Sequence, residues 1–221
     1  MPDKNDFDAQ LVEDLTVRAT YHNKLGLFYH EKGNYNKALK NFEAALWIAD
    51  RLGDLNGKVA YLNNIGGIHK LLGKNIDALN QFQEIIKIAK KLGDLTMEAT
   101  YLNRVGLILH EEGTRLKESE QFKESLKQFK EAMNCYKTSL QIAEQLGDQN
   151  KKIISINNIA GIYNEQGNYP KAMKNYEDAL ELLAELGLLN TPEAKKIRKN
   201  IETLKKILFS KGKVDEKYLA F

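Results

Sequence analysis

The stretch "LGDLNGKVAYLNNIG" at residues 52–66 decides the fold, because the chain repeats it. A close copy, "LGDLTMEATYLNRVG", stands at 92–106, and "LGDQNKKIISINNIA" follows at 146–160. The earliest copy is "VEDLTVRATYHNKLG" at 12–26, so successive copies start at 12, 52, 92 and 146. A repeat of this size is typical of helical hairpins that stack and share one continuous core. The last step is 14 residues longer than the others, so the third unit carries an insert.

Each unit is predicted to contain two amphipathic helices. In the second unit, apolar residues at helical spacing run from Leu62 to Ile68, and Gly73 ends that helix because glycine readily takes a positive φ. A second helix carries Ala78 and Phe82 on its apolar face. An aspartate follows each unit boundary, where its carboxylate is well placed to cap the next helix. These aspartates are Asp14, Asp54, Asp94 and Asp148.

Small and large residues recur at fixed places in every unit. They are Gly26, Ala38 and Phe42, then Gly66, Ala78 and Phe82, then Gly106, Ala132 and Tyr136, and finally Ala160, Ala172 and Tyr176. This pattern resembles the tetratricopeptide repeat (TPR), in the longer form of about 40 residues found in kinesin light chains, in adaptors that link G proteins to spindle components, and in bacterial peptide-sensing regulators. The resemblance implies an all-α fold, a right-handed α-solenoid of four TPR hairpins with a C-terminal capping helix.

The predicted segments follow from the repeat boundaries. They are an N-terminal cap segment at 1–14, an array at 15–187 divided into units 15–53, 54–93, 94–147 and 148–187, a capping helix at 191–209 and a tail at 210–221. The Lys-rich face of the capping helix either keeps the end of the array soluble or docks a partner. The tail, which ends in Tyr218, Leu219 and Phe221, either frays or docks into a groove.

The insert in the third unit lies near 114–128 and contains no glycine or proline. Phe122, Leu126, Phe129 and Met133 follow at spacings of 4, 3 and 4, which predicts one long helix that projects beyond the stack. Such a helix is either a tolerated excursion that packs loosely on its neighbour or a contact arm for a partner, and an exposed Phe122 favours the arm.

In TPR proteins the first helices of successive units line a concave groove that binds extended peptides. The resemblance places eight residues of this chain there. They are Lys24, Leu27, Asn64, Gly67, Arg104, Leu107, Asn158 and Gly161. The preceding asparagines, Asn23, Asn63, Asn103 and Asn157, either bridge neighbouring helices or join the groove. Lys24 and Arg104 favour a partner with acidic residues or a terminal carboxylate.

The composition argues against several other classes. The 33 Lys and Arg nearly balance 30 Asp and Glu, which favours neither nucleic acid nor membrane binding, and no apolar run approaches the length of a membrane span. The single cysteine, Cys135, forms no internal disulfide, which predicts a cytoplasmic protein. The four histidines lack metal-ligand spacing, and no phosphate loop or catalytic constellation stands out. We therefore expect no cofactor, no metal and no enzyme.

The sequence predicts a protein–protein interaction adaptor or scaffold that binds a peptide segment of a partner protein in the concave groove. Two alternatives stay open. One is a self-associating structural module, a homo-oligomer joined through the extended third-unit helix or the C-terminal tail. The other is a sensor of short signalling peptides.

Overall fold

The computed structural model describes residues 4–210, with side chains from residue 10 onward. These residues form helices and no strand, and the chain divides into two compact units, Met1–Asp94 and Leu95–Phe221. The first unit contains α1 (Lys4–Glu31), α2 (Tyr35–Leu52), α3 (Leu55–Leu71) and α4 (Asn75–Leu92). The second contains α5 (Leu95–Glu118), α6 (Phe122–Leu146), α7 (Gln149–Glu165), α8 (Tyr169–Glu185) and α9 (Pro192–Ser210).

The boundary aspartates cap two of the helices as predicted. The Gly57 N–H donates to Asp54 Oδ1 at 2.9 Å, and the Lys151 N–H donates to Asp148 Oδ1 at 2.9 Å. Each bond satisfies one of the backbone donors that a helix N-terminus leaves unpaired. The motif that marks the repeat is therefore also the signal that starts α3 and α7.

In the first three hairpins the two helices pack through a glycine set against an aromatic ring, whereas the fourth has Ala160 at this place. A Cβ built on Gly66 would lie 2.7 Å from the Phe82 ring, and one built on Gly106 would lie 2.6 Å from the Tyr136 ring. Gly26 and Phe42 form the same pair in the first hairpin. At this separation no larger residue fits without moving the ring, so the small and large positions of the repeat specify how closely the two helices approach.

The insert lengthens both helices of the third hairpin. Helix α5 has 24 residues against 17 in α3, and α6 has 25 against 18 in α4, so each helix gains seven. The turn lies between them, where Glu120 has a φ of 61° and the Gln121 N–H donates to the Leu116 carbonyl oxygen at 2.8 Å. The prediction of one long projecting helix was therefore wrong.

Seven residues are close to two helical turns, so an added seven leaves the facing of a helix almost unchanged. Gly113 lies seven residues after Gly106, and Phe129 lies seven residues before Tyr136. These two form a second glycine–aromatic pair, with a Cβ on Gly113 2.7 Å from the Phe129 ring. Ser125 also donates its hydroxyl to the Gly113 carbonyl oxygen at 2.7 Å. The extension thus repeats the packing of the hairpin that it lengthens.

The N-terminal prediction also needs correction. We expected a cap segment at 1–14 and a helix start at Asp14, but α1 continues through this boundary from Lys4 to Glu31. Residues 3–25 contain no glycine or proline, so nothing in the local sequence stops the helix. Among residues 10–31, the N-terminal part of α1 therefore extends the first helix of the repeat and does not fold back onto it.

Helix α9 covers the end of the second unit. Ile197 and Leu204 are buried in one cluster with Met173 and Tyr176 of α8. The Ala194 N–H donates to Thr191 Oγ1 at 3.3 Å, which caps the start of this helix. Residues 211–221, which hold nearly all of the predicted tail, lie outside the described part of the chain.

Candidate functional site

In the first unit, the predicted groove residues of α1 and α3 differ in exposure. Lys24 and Leu27 on α1 are exposed, whereas Asn64 and Gly67 on α3 are half-buried. A Cβ built on Gly67 would meet no heavy atom within 4 Å, so this glycine opens onto unfilled space. The α3 backbone is therefore accessible at Gly67, where a bound chain can approach closely.

In the second unit, α5 and α7 are in contact and carry the other four predicted residues. Arg104 and Leu107 on α5 are exposed, and Asn158 and Gly161 on α7 are half-buried. The Arg104 guanidinium lies 5.2 Å from the centre of the Tyr101 ring. This stacking orients the guanidinium, whose planar fork of donors matches the geometry of a carboxylate.

A pocket of about 310 Å³ runs along α5 in the second unit. Its lining residues are Leu107, His110, Glu111, Thr114, Arg115 and Glu118. Three of them, Thr114, Arg115 and Glu118, belong to the part of α5 that the insert adds. Sequence reasoning found Leu107 and missed the other five, although their helical spacing after Leu107 places all six along one side of α5.

His110 separates this pocket from the hairpin core. Its ring makes edge contacts with Phe129 and Tyr136 of α6, and a Cβ built on Gly161 of α7 would lie 2.9 Å from its Cε1. Burial lowers the pKa of His110, and the nearby carboxylates of Glu165 and Glu111 oppose this only partly. The imidazole is therefore mainly neutral at pH 7 and acts as a packing group between α5 and α7.

Asn103 bridges three helices of the second unit. Its Nδ2 donates to Ser139 Oγ on α6 at 2.6 Å and to Ser155 Oγ on α7 at 3.2 Å. Ser139 in turn donates to the Ala99 carbonyl oxygen at 3.0 Å. For Asn103, the bridging role is the one that the structure supports, because its donor group points into the hairpin and away from Arg104.

The other asparagines of this series are also half-buried but are held differently. The Oδ1 atoms of Asn23 and Asn157 are buried and have no hydrogen-bond partner among residues 4–210. The fourth hairpin has Ala179 where the third has Ser139, so Asn157 lacks the hydroxyl that Asn103 uses. Asn157 therefore occupies the repeat position of Asn103 without the bridge that Asn103 makes.

The extended hairpin is attached to α7 by an ion pair. Lys117 Nζ lies 3.1 Å from Glu165 Oε2 and also donates to the Glu165 carbonyl oxygen. On α6, Phe122 and Leu126 are each 59% exposed, whereas Phe129 and Met133 are buried. The predicted apolar stripe is therefore half core and half surface, with Phe122 at the exposed end.

The sequence profile of the tetratricopeptide repeat matches residues 16–91 and 121–185. The chain belongs to the tetratricopeptide repeat family. TPR arrays are protein-interaction modules that bind along extended surfaces. No curated protein matches this TPR chain.

Several solved structures share the TPR fold of this chain. RapI in its apo form superposes with a TM-score of 0.62 at 16% identity, covering 88% of this chain and 69% of RapI. A Rap protein complexed with Competence and Sporulation Factor gives 0.61 at 20% identity, covering 90% of this chain and 54% of that protein. A putative kinesin light chain from P. anserina gives 0.58 at 12% identity, covering 86% and 92%. The predicted all-α solenoid of TPR hairpins is confirmed, and the chain spans about half of that Rap protein.

The remaining chemical predictions concern the Cys135 thiol, metal binding and membrane spans. Burial raises the pKa of the Cys135 thiol to about 11, so it is a poor nucleophile at pH 7. Among the described residues of this TPR chain, no group of three or more His, Cys, Asp or Glu side chains is arranged to hold a metal ion. Between residues 4 and 210, none of the helices combines the length and apolar character needed to span a bilayer.

Proposed function

We propose that this TPR protein is an adaptor that binds an extended peptide segment of a partner protein along its first helices. In the first unit the contacts come from Lys24, Leu27, Asn64 and Gly67, and in the second from Arg104, Leu107, Asn158 and Gly161. The observation that carries the proposal is that neighbouring positions of α5 differ in their contacts and exposure. Asn103 points into the hairpin and holds helices together, whereas Arg104 and Leu107 are exposed.

The chemistry of the two units supports a ligand with acidic side chains. Helices α1 and α5 each present a cation followed three residues later by an exposed leucine, at Lys24 and Leu27 and at Arg104 and Leu107. A carboxylate and an apolar side chain of a bound peptide would find one partner each on such a helix. The amides of Asn64 on α3 and Asn158 on α7 each offer a donor and an acceptor to a peptide backbone.

The Rap protein complexed with Competence and Sporulation Factor supports ligand binding on this fold. Identity of 20% carries no contact residues from one chain to the other, so the proposed site depends on the residues of this chain alone. A sensor of short signalling peptides, the alternative predicted from the sequence, would use the same eight residues and is distinguished by the length of the best-binding peptide.

The proposal is tested with a library of random peptides displayed on phage, selected against the immobilised full chain. We expect enrichment of peptides with acidic residues spaced by apolar ones. The triple variant Asn64→Ala, Arg104→Ala and Asn158→Ala should weaken the best peptide at least about tenfold. A matched control changes three exposed residues of second helices, Asn80→Ala, Asn134→Ala and Lys137→Ala, and should bind as the unchanged protein does.

A second variant separates groove loss from fold loss. Because the space above Gly67 is open, Gly67→Leu adds bulk to the site, and replacing a helical glycine stabilises the helix by up to about 1 kcal/mol. We expect Gly67→Leu to melt at or above the temperature of the unchanged chain and to lose peptide binding. Full binding in both Gly67→Leu and the triple variant would exclude the first-helix faces as the site.

The exposed pair Phe122 and Leu126 supports a second contact surface on the extended hairpin. Two apolar side chains one turn apart, each more than half exposed, form the kind of small patch that partners cover. We propose that this patch, formed by Phe122 and Leu126, contacts the same partner protein outside the groove. Phe122→Ser and Leu126→Ser together should lower affinity for the intact partner and leave affinity for the isolated peptide unchanged.

A further inference from the structure

Helix α1 carries an exposed stripe, of which the proposed function uses only Lys24. The stripe consists of residues at alternating spacings of four and three along one side of the helix. They are Gln10, Asp14, Val17, Tyr21, Lys24, Phe28 and Glu31, and all are exposed. Val17, Tyr21 and Phe28 are 63%, 59% and 50% exposed, which is unusual for three apolar side chains on one helix face. Alternation of four and three is the pattern by which two helices pack along their length.

The equivalent positions of the next repeat show what such a stripe normally does. Forty residues later, Tyr21 corresponds to Tyr61, which is 8% exposed, and Phe28 corresponds to Ile68, which is fully buried. Tyr61 packs against Ala45 of α2, in a cluster that continues with Ala49. The α1 stripe is therefore a helix-packing face, and within residues 10–210 no helix covers it as α2 covers α3.

The charges on the stripe identify the helix that fits. Asp14 and Lys24 stand five residues to either side of Ala19, and Val17 and Tyr21 stand two residues to either side of it. An antiparallel second copy of the same stripe therefore places Asp14 beside Lys24 of the other helix, twice, and Val17 beside Tyr21, twice. A parallel copy would instead place like charges together, which opposes association.

We propose that two copies of this chain associate through their α1 stripes, antiparallel and related by a two-fold axis near Ala19. The stripe from residue 10 to residue 31 is about 32 Å long at 1.5 Å per residue. Val17 and Tyr21 from each copy form the centre of the contact, the Asp14–Lys24 pairs flank it, and Phe28 lies beyond each pair beside Gln10 of the other helix. Such an interface is at the small end of those that hold proteins together, so the dimer is reversible, with a dissociation constant of tens of micromolar.

The test is a charge exchange measured by sedimentation equilibrium, on the full chain without added peptide, from about 5 to about 300 micromolar. Asp14→Lys alone sets two lysines against each other at both pairs, and Lys24→Asp alone sets two aspartates together. Each single variant should raise the dissociation constant about tenfold or more. The double variant Asp14→Lys with Lys24→Asp restores opposite charges and should restore the dimer.

The apolar part of the stripe has its own variant and control. Tyr21→Glu places a charge at the centre of the contact and should leave the chain monomeric over the whole range. Glu43→Lys makes a charge change of the same kind as Asp14→Lys on the exposed face of α2 and should change nothing. Melting curves by circular dichroism confirm that each variant is folded.

Three results would overturn the proposal. The first is an unchanged chain that stays monomeric up to the highest concentration. That result would mean that the stripe binds a helix of another protein and not a second copy. The second is a dimer that persists in Tyr21→Glu, which would place self-association elsewhere, for instance at Phe122. The third is a double variant that fails to recover association, which would exclude the antiparallel pairing.

Discussion

The second and third hairpins are copies of the same repeat and differ in length by 14 residues. Hairpin α3–α4 turns at Gly73, whereas α5–α6 continues through the aligned Gly113 for two further turns on each helix. A glycine therefore ends the first helix of one hairpin and lies within the first helix of the other. Gly73 has a φ of 72° and meets nothing within 4 Å, whereas Gly113 lies within a helix against the Phe129 ring. The comparison teaches that a glycine in a repeat ends a helix only when the following residues do not continue the packing.

Replacing Gly113 should give the largest effect. Gly113→Val forces a branched side chain into the Phe129 ring and should lower the free energy of unfolding by about 3 kcal/mol, measured by urea denaturation. Gly67→Val, also within a helix but facing open space, is the control and should cost little. Equal losses in the two variants would mean that Phe129 does not pack on Gly113.

Asn103 gives the next largest effect, because the third hairpin has a polar bridge through Ser139, where the second has Ile85 at the equivalent position. Asn103→Ala removes bonds to Ser139 and Ser155 that lie between helices, and should cost about 2 kcal/mol of unfolding free energy. Asn134→Ala, on the exposed face of α6, should change it by less than about 0.5 kcal/mol. A loss no larger than that of the control would mean that the bridge does not hold the helices together.

Tyr136→Phe should make the third hairpin more like the second, which has Phe82 at this place. The Tyr136 hydroxyl is buried and has no hydrogen-bond partner among the described residues, and burial raises its pKa far above the ordinary value, so it stays neutral. Removing it should raise the free energy of unfolding by about 1 kcal/mol, seen as a higher melting temperature. A lower melting temperature would show that the hydroxyl has a partner.

Glu120→Gly should have the smallest effect on the free energy of unfolding. Glu120 has a φ of 61°, in the left-handed region that costs other residues about 1–2 kcal/mol, at the turn position where Gly73 stands in the second hairpin. Since glycine also has more freedom in the unfolded chain, the net gain should be about 0.5 kcal/mol. Glu124→Gly within α6 is the matched control and should lose stability, so a loss in both variants would contradict the prediction.

The sequence predicted the repeat, most helix boundaries and the core because these depend on local signals. Asp54 and Asp148 cap helices through bonds that span three residues, and Phe42 and Phe82 each pack on a glycine 16 residues earlier in the chain. Such features recur within one hairpin, and a repeat shows them several times. One sequence was therefore enough to specify the fold of the hairpins.

The insert was predicted incorrectly because its spacing fits two arrangements. The series from Phe122 to Met133 continues as a helix whether the turn comes before Phe122 or at Gly113. Glu120 gives no turn signal, since it is neither glycine nor asparagine. The sequence contains another signal for the correct turn. Gly113 lies seven residues after Gly106 and Phe129 lies seven residues before Tyr136, so these two residues form a second glycine–aromatic pair.

The eight groove residues stay a prediction, made from their positions in the repeat. Exposure of Lys24, Leu27, Arg104 and Leu107 agrees with a surface for partners. The pocket that includes Thr114 and Glu118 was missed because half of its lining residues belong to the extension of α5.

The seven-plus-seven arrangement of the third hairpin has a consequence for engineering. Each such step adds about 10.5 Å to both helices and restores the glycine–aromatic contact at the new level. A further pair of seven-residue inserts, one in each helix, should therefore yield a longer rigid hairpin, provided that one insert carries a glycine and the other an aromatic residue. A cargo protein fused to the tip of that hairpin would be held at a distance from the rest of the array that increases in defined steps.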